Sequence, residues 1–289
     1  MIVSPSPRRR GAGKALGALL ALVVVAAAIV AVVPREVRGH AVAVSGSGVA
    51  RAREDGRRPV RELATNPLLA GEVALGRASC DLPRLGRSGP QLAAYYEALS
   101  GCLAQAWRPA LERAGEPAGE VRVSITLPKV SACGTAPSRE EAVAYYCGGD
   151  TTIYAPTDWM LSDAGSNGAR HVATIAHEYG HHVQRESGIL DAASARMGSD
   201  RPGGKAGNAV VRRIELQANC FGALFLAAAA GRGSISRAMA NAAVADYGRA
   251  DDSGDHGSHD HQIAWAKAGY SGRGPSACNT WSASESQVS

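Results

Sequence analysis

The chain has 289 residues, of which 45% are hydrophobic and 20% charged, and its formal net charge is +5. This length suits one substantial domain with additional segments and is short for two large domains. The charge does not indicate nucleic-acid binding, because residues 1–80 carry 12 Lys/Arg against 5 Asp/Glu, which leaves 19 against 21 for the remainder.

The first notable feature is an apolar run of 19 residues from Ala15 to Val33, which follows a basic stretch and ends at Pro34. A helix of this length can cross a bilayer, and the basic flank orients residues 1–14 toward the cytoplasm. A signal peptide is the competing interpretation, since residues 40–43 offer a small-residue cleavage site. The run is longer than the usual signal core, and the site lies well beyond its end. We therefore predict an uncleaved anchor at residues 15–33, with everything after it outside the cytoplasm.

Residues 34–76 are predicted to form a basic, flexible tether, because they are rich in Arg, Gly, Ser and Ala and show little periodicity. The basic excess of residues 35–61 is explained by attraction to anionic lipid headgroups. We expect no nucleic-acid partner.

The six cysteines are predicted to be structural, because none forms a Cys-x-x-Cys pair and an extracytoplasmic location favours disulfides. Six cysteines allow fifteen pairings, which spacing alone does not resolve. The cysteines are Cys80, Cys102, Cys133, Cys147, Cys220 and Cys278.

A helix is predicted from Pro90 to Gly115, because large apolar side chains recur every three or four residues between them. Cys102 lies in the middle of this helix and Cys80 just before it, so these two could be bridged.

Three strands are predicted next. Val121 to Leu127 alternates apolar and polar residues, and residues 145–147 and 151–154 flank a Gly-Gly-Asp turn. A small sheet is therefore expected before the helix described next.

That helix starts near Asn167, stops near Gly188 and carries His177-Glu178-x-x-His181. Residues four apart share a helix face, so both imidazoles point to one site and can hold zinc. Glu178 can reach a water in the open metal position and act as general base. The competing interpretation is a buried amphipathic helix with two satisfied histidines. His182 points about 100° away and is interpreted as structural or solvated.

The strands that precede the metal helix suggest where a substrate could bind, at the edge of the small sheet. In zinc peptidases with this order of elements, the strand nearest the site can pair with an extended peptide. We assign that edge to Thr151, Thr152, Ile153 and Tyr154, with an ordinary structural strand as the alternative.

A catalytic zinc needs a third protein ligand. A long motif with a third histidine is excluded, because Gln184 and Ser187 occupy the positions of its glycine and histidine. After a Gly-rich loop at 197–207, a second helix runs to Gly231 and carries Glu215, which is the natural third ligand. Asn219 lies four residues later on the same face.

The chain closes with a His- and Asp-rich turn at 251–260, which contains His256 and His259 and is followed by His261. Residues 282–289 are predicted to be a polar tail.

The sequence resembles the neutral zinc metallopeptidase family of bacteria, whose members are commonly predicted to be membrane-anchored. The resemblance covers about residues 133–281. It is carried by His177-Glu178-Tyr179-Gly180-His181-His182-Val183-Gln184, by Glu215-Leu216-Gln217-Ala218-Asn219-Cys220-Phe221 with Ala223, and by His256-Gly257-Ser258.

This resemblance implies one zinc on His177, His181 and Glu215, with Glu178 as base, as in thermolysin-like glutamate zincins. It also implies the pairs Cys133–Cys147 and Cys220–Cys278, which leaves Cys80 for Cys102.

Two departures from the family pattern affect the site. Asn219 replaces the usual Asp, so a neutral amide stands where a carboxylate would orient a ligand histidine. His259-Asp260-His261 is also unusual, and we interpret it as a solvated loop rather than a second metal site. His256 is a candidate for stabilising an oxyanion.

We therefore predict an α+β fold, in which a small mixed sheet packs on the metal helix and on the second ligand-carrying helix, after an N-terminal transmembrane helix. Residues 77–281 would form a membrane-anchored, extracytoplasmic zinc peptidase domain that acts on peptides or proteins. The alternative is a non-catalytic envelope protein with a structural or vestigial zinc site. Glu178 argues against that alternative, because a structural site needs no base.

Overall fold

The computed structural model describes residues 62–197, 205–249 and 254–289. The predicted cytoplasmic tail, the membrane anchor at 15–33 and the basic part of the tether lie outside these ranges and stay predictions. Within the ranges described, no helix is both long enough and apolar enough to cross a membrane.

The described ranges contain eight α-helices. In chain order these are α1 Pro67–Ala70, α2 Gly89–Ala114, α3 Thr157–Asp163, α4 Gly168–Glu186, α5 Ile189–Met197, α6 Lys205–Ala229, α7 Arg237–Asp246 and α8 His259–Ser271. Single 3-10 turns lie at Leu63–Thr65, Tyr247–Arg249, Pro275–Cys278 and Glu285–Gln287.

The two helices predicted most clearly from periodicity are confirmed, with recognisable caps. Ser88 and Gln91 form a capping box at the start of α2, and Gly115 adopts a left-handed φ of 71° at its end. The Asn167 side chain accepts a hydrogen bond from the Arg170 N–H at the start of α4. Local sequence signals therefore set the ends of both helices.

In the part of the chain that the structure describes, five short strands form two sheets. They are β1 Arg122–Ser124, β2 Val130–Ser131, β3 Gly134–Thr135, β4 Tyr145–Cys147 and β5 Thr152–Tyr154. The larger sheet has the order β1-β5-β4, with β5 parallel to β1 and antiparallel to β4. The α+β fold with a small mixed sheet is thus confirmed.

The prediction that residues 151–154 form the sheet edge is wrong. β5 is the central strand, because β1 pairs with it on one side and β4 on the other. Thr151 precedes the strand and has a left-handed φ of 52°. The Gly-Gly-Asp turn predicted the pairing of β4 with β5. The parallel pairing of Arg122 with Thr152 joins parts of the chain that are 30 residues apart, so no local sequence pattern indicates it.

β1 is shorter than the predicted run from Val121 to Leu127. The hydroxyl of Ser124 donates to the Thr126 carbonyl at 2.8 Å, and such a local bond competes with a sheet ladder.

The sheet separates two apolar clusters. Tyr146 and Ile153 pair across the strands and belong to the main core with the helices. Tyr145, Cys147 and Tyr154 belong to a smaller cluster with Cys133 and Ala142. This alternation follows from the two-residue period of a strand.

Helices α4 and α6 pack closely because glycines lie at their crossing. A Cβ atom on Gly180 would lie 3.0 Å from the Ala218 carbonyl oxygen, and one on Gly222 would lie 3.2 Å from the backbone of Ala176. The absence of these side chains brings the two helices near enough for α6 side chains to reach those of α4.

The tether prediction is wrong for its last part. Leu68 and Leu69 of α1 are buried in the main core, and Asn66 donates from its side chain to the Ser187 carbonyl at 2.8 Å. The Arg- and Gly-rich composition of the whole segment concealed this short apolar anchor.

The predicted polar tail at residues 282–289 is mostly exposed, but it is attached to the domain near its end. Val288 is fully buried, its carbonyl accepts a hydrogen bond from Arg212 Nε at 3.0 Å, and the Gln287 carbonyl accepts one from Trp265 Nε1 at 2.9 Å. Both hydrogen bonds are accepted by backbone carbonyls, which every residue carries, so the composition of the segment does not indicate them.

Residues 259–261 were predicted to form a solvated loop; His259 and Asp260 are exposed, but the three residues are helical. The side chain of Ser258 caps α8, so His259, Asp260 and His261 form the first turn of that helix.

Three disulfides confirm the predicted pairing. Cys80 is bonded to Cys102, Cys133 to Cys147 and Cys220 to Cys278. The last pair closes the longest loop, with a sequence separation of 58, and ties the segment after α8 back to α6.

Candidate metal centre

Helix α4 places His177 and His181 one turn apart, and their Nε2 atoms are 3.1 Å from each other. The opposite side of the helix is fixed by its buried apolar residues Val172, Ile175, Ala176, Tyr179 and Val183. The amphipathic pattern therefore determines the direction in which the two imidazoles point.

Helix α6 adds a carboxylate to this pair. Glu215 Oε2 lies 3.2 Å from His177 Nε2 and 3.5 Å from His181 Nε2, and the side chain is 1% exposed. A tetrahedral ion with ligand bonds of about 2.0–2.1 Å separates its ligands by roughly 3.3 Å. The three observed distances match that separation.

The outer nitrogens of both rings face amide oxygens. His177 Nδ1 lies 2.8 Å from Asn219 Oδ1, and His181 Nδ1 lies 2.8 Å from Gln184 Oε1. An amide oxygen only accepts, so each Nδ1 carries the proton and each Nε2 directs a lone pair inward. Two lone pairs and a carboxylate then converge on one point.

The convergence requires a positive charge at its centre. Both Glu215 oxygens are buried and accept no hydrogen bond from the part of the chain that the structure describes. A buried carboxylate facing two lone pairs is costly unless a cation lies between them. Two neutral imidazoles and one carboxylate are a donor set that suits zinc, so the residues fit this metal.

The pKa shifts point the same way. Burial alone would raise the pKa of Glu215, but the charge of His181 and contacts with His177 hold it below its usual range. Burial also opposes protonation of His181, yet Glu215 raises the pKa of that imidazole to about 9. Both shifts show that the cluster favours a positive charge beside Glu215.

Glu178 lies beside the cluster and is 3% exposed. Burial raises the pKa of its carboxyl, whereas His177 and His181 act in the opposite direction, as does the backbone of Tyr146 in β4. Its Oε2 atom is buried without a hydrogen-bond partner among the described residues. The carboxylate is therefore available to a small polar molecule at the site.

His256 lies close to Glu215. Its Nε2 atom is 3.8 Å from Glu215 Oε2, and its Nδ1 atom is 3.1 Å from Asp255 Oδ1. Burial would lower the pKa of His256, but Asp255 and Glu215 raise it above the ordinary value. A protonated His256 can donate a hydrogen bond into the site.

His182 has a structural role. It is fully buried, its Nδ1 atom accepts from the Tyr146 hydroxyl at 3.1 Å, and its Nε2 atom donates to the Gly119 carbonyl at 3.1 Å. It thus ties α4 to the sheet and to the chain before β1.

Two residues at the site were missed from sequence. Gln184 orients His181, and Gln217 contacts Gln184 at 3.0 Å. The three-residue spacing between His181 and Gln184 on a helix was an available signal. The predicted substrate residues Thr152, Ile153 and Tyr154 lie in the central strand, and the edge strand whose backbone contacts Glu178 is β4.

Comparison with known proteins gave consistent findings. The family model described as "Putative neutral zinc metallopeptidase" matches residues 121–281, a range that includes every residue of the cluster. Uncharacterized protein Rv2575 of Mycobacterium tuberculosis is 31% identical over 181 residues, which cover 53% of this chain and 59% of that protein. Uncharacterized protein YpfJ of Escherichia coli K12 is 31% identical over 156 residues, which cover 47% and 53% of the two chains. The chain thus spans between half and three fifths of the length of these relatives.

No solved structure matches it significantly.

Proposed function

Because the chain belongs to the putative neutral zinc metallopeptidase family, we propose that it hydrolyses peptide bonds with one zinc ion held by His177, His181 and Glu215. The observation that carries this proposal is the convergence of two imidazole lone pairs on a buried carboxylate, with Glu178 beside them. Neither a buried structural helix nor a purely structural metal site accounts for Glu178, which is not among the ligands.

Zinc bound at this site would polarise the scissile carbonyl and lower the pKa of a water molecule. Glu178 accepts a proton from the attacking water and passes it to the leaving amine. The raised pKa that burial gives Glu178 suits this role, because a general base works best when its pKa lies near the operating pH. A base of this kind contributes roughly 100- to 10,000-fold in rate.

His256 is proposed to stabilise the oxyanion that forms on the substrate carbonyl. Its hydrogen bond with Asp255 and its raised pKa support a protonated ring that donates. Its Nε2 atom, 3.8 Å from Glu215 Oε2, lies beside the proposed metal ligands.

The substrate is proposed to be an extended peptide that pairs with β4 in place of the edge predicted from sequence. Two features support β4: among the described residues it pairs with β5 alone, and the backbone of Tyr146 contacts Glu178. Main-chain hydrogen bonds to an edge strand hold a peptide with little regard to its side chains.

We also propose that the domain is extracytoplasmic and anchored through residues 15–33. Three disulfides among the described residues support an oxidising compartment.

Peptide cleavage tests the proposed activity. The purified chain, incubated with a proteome-derived peptide mixture, should produce new peptide ends. A zinc chelator should abolish them, and added zinc should restore them. A zinc-loaded chain that produces no new ends would favour the non-catalytic alternative.

A further inference from the structure

A line of buried hydrogen bonds runs from His181 to the Cys278 carbonyl, in the segment after α8. His181 Nδ1 donates to Gln184 Oε1 at 2.8 Å, and Gln184 Nε2 donates to Gln217 Oε1 at 3.0 Å. Gln217 Nε2 donates in turn to the Cys278 carbonyl at 2.9 Å. Gln184, Gln217 and Cys278 are all fully buried.

Each bond in this line fixes the direction of the next amide. An amide group can rotate by half a turn and exchange its oxygen for its nitrogen. Gln217 cannot do so without facing the Cys278 carbonyl with its own oxygen. Its oxygen therefore stays toward Gln184, whose nitrogen is also held by the Ile214 carbonyl at 2.9 Å.

The direction of Gln184 decides which nitrogen of His181 carries the proton. With the amide oxygen toward Nδ1, the lone pair lies on Nε2 and faces Glu215 and His177. If the amide nitrogen faced Nδ1 instead, the proton would lie on Nε2 and block a metal ion. The carbonyl at the end of the line is fixed because Cys278 is disulfide-bonded to Cys220 on the same helix as Gln217.

We propose that Gln217 is a positioning residue for the metal ligand His181, and that it acts through Gln184. The inference rests on the proposed zinc site, but it does not require that the site be catalytic. The bond between Gln184 and Ile214 remains when Gln217 is changed, so the effect of Gln217 should be smaller than that of Gln184.

Zinc affinity, measured by competition with a chelator, tests this inference in the full-length chain. Loss of a group that orients a metal ligand typically lowers affinity by about 10- to 100-fold. We expect Gln184→Met to fall in that range and Gln217→Met, which keeps the volume and removes both hydrogen bonds, to lower affinity roughly 3- to 10-fold. In Gln217→Glu, burial and the Cys278 carbonyl favour the protonated acid, whose hydroxyl donates to that carbonyl and whose other oxygen accepts from Gln184, so zinc affinity should stay within about twofold of the wild type.

Thr280→Val is the matched control. The Thr280 hydroxyl is fully buried and donates to the Arg213 carbonyl at 2.8 Å, so it joins the same terminal segment to α6 without contacting Gln184. This variant should lose stability and keep its zinc affinity. An equal loss of zinc affinity in Thr280→Val and Gln217→Met would show that any weakening of the contact between α6 and the segment after α8 lowers zinc affinity. That result would overturn the proposal.

The double variant Gln184→Met, Gln217→Met separates action through Gln184 from independent action. We expect it to bind zinc as weakly as Gln184→Met alone, because the second change has no amide left to orient. Additive losses would overturn the proposal, as would unchanged affinity in Gln217→Met. If Gln217→Met fails to fold, Gln217→Glu and the control decide the outcome: loss of zinc by a folded Gln217→Glu counts against the proposal.

The proposal and the proposed function fail differently. Wild-type protein without zinc affinity would remove both. Protein that binds zinc but cleaves no peptide would contradict only the peptidase activity. The zinc affinities of the Gln184, Gln217 and Thr280 variants would still test the positioning role of Gln217.

Discussion

The Nδ1 atom of His177 lies 2.8 Å from the Oδ1 atom of Asn219, so a neutral amide accepts the outer proton of a metal ligand. An amide fixes the tautomer but lacks the charge with which a carboxylate raises ligand basicity. We predict that Asn219→Asp tightens zinc binding or raises turnover by up to about tenfold, the lower end of the effects of such groups. Chelator competition and peptide turnover measure the two quantities. Weaker or unchanged zinc retention without a gain in rate would contradict the role assigned to Asn219.

The close approach of α4 and α6 gives a second prediction. In Gly180→Ala the new methyl group meets the Ala218 backbone at 3.0 Å, which cannot move aside as a flexible side chain can. Such overpacking costs about 1–3 kcal/mol, more than the roughly 1 kcal/mol that Ala gains over Gly in a helix. Urea unfolding should show a lower free energy of unfolding, and zinc affinity should fall because Glu215 moves away from the histidines.

Gly101→Ala is the control for that substitution. Gly101 lies in the middle of α2 and is exposed, and a methyl group added there would meet no atom of another element within 4 Å. This variant should gain up to about 1 kcal/mol of stability from helix propensity. If both variants gained stability, the contact between α4 and α6 would not be as tight as described.

The third prediction concerns pH. His171 is fully buried, its Nδ1 accepts from the Tyr96 hydroxyl at 2.6 Å and its Nε2 donates to the Gly165 carbonyl at 3.1 Å. Burial lowers the pKa of this imidazole, although the Gly165 carbonyl acts in the opposite direction. Below pH about 6.5 the unfolded chain binds the proton more readily than the folded chain. The stabilisation from neutral His171 is complete above that pH and is lost as pH falls.

Urea unfolding at pH 7.5 and 5.5 measures this loss. His171→Gln can keep both hydrogen bonds but does not titrate, so its free energy of unfolding should fall less between the two pH values. The difference between the wild type and the variant can reach at most about 1.4 kcal/mol for one group. An identical pH dependence in both proteins would show that His171 does not contribute to acid lability.

The fourth prediction concerns the N-terminal segment. The apolar run at residues 15–33 and its basic flank predict that residues 1–33 stay attached to the body and hold it in the membrane. Fractionation of cells followed by determination of the N-terminal sequence tests this. Recovery of a soluble chain that begins near Val44 would show cleavage and contradict the anchor.

Much of the fold was predictable because its signals are local. Periodicity and caps defined α2 and α4, and the helical spacing of His177 and His181 placed both rings on one point. Glu215 followed from the requirement for a third ligand. These inferences needed only the geometry of a single helix and the coordination number of zinc.

The parts that were not predicted depend on contacts between distant residues. The parallel pairing of β1 with β5 made β4 the edge beside Glu178, and no local pattern encodes that order. The docking of Leu68 and of Val288 uses short apolar anchors inside polar segments. The role of Gln217 depends on the position of the Cys278 carbonyl, 61 residues away.

We propose that Glu178 acts as a base and not as a ligand, next to zinc held by His177, His181 and Glu215. Zinc content and peptide hydrolysis, measured together on the full-length wild type and on Glu178→Gln, test it most directly. We predict one zinc per chain in both proteins and a rate lower by about 100- to 10,000-fold in the variant. Loss of zinc from Glu178→Gln would contradict the assignment of Glu178 as a group that is not a ligand. Hydrolysis by Glu178→Gln at the wild-type rate would contradict its role as the base.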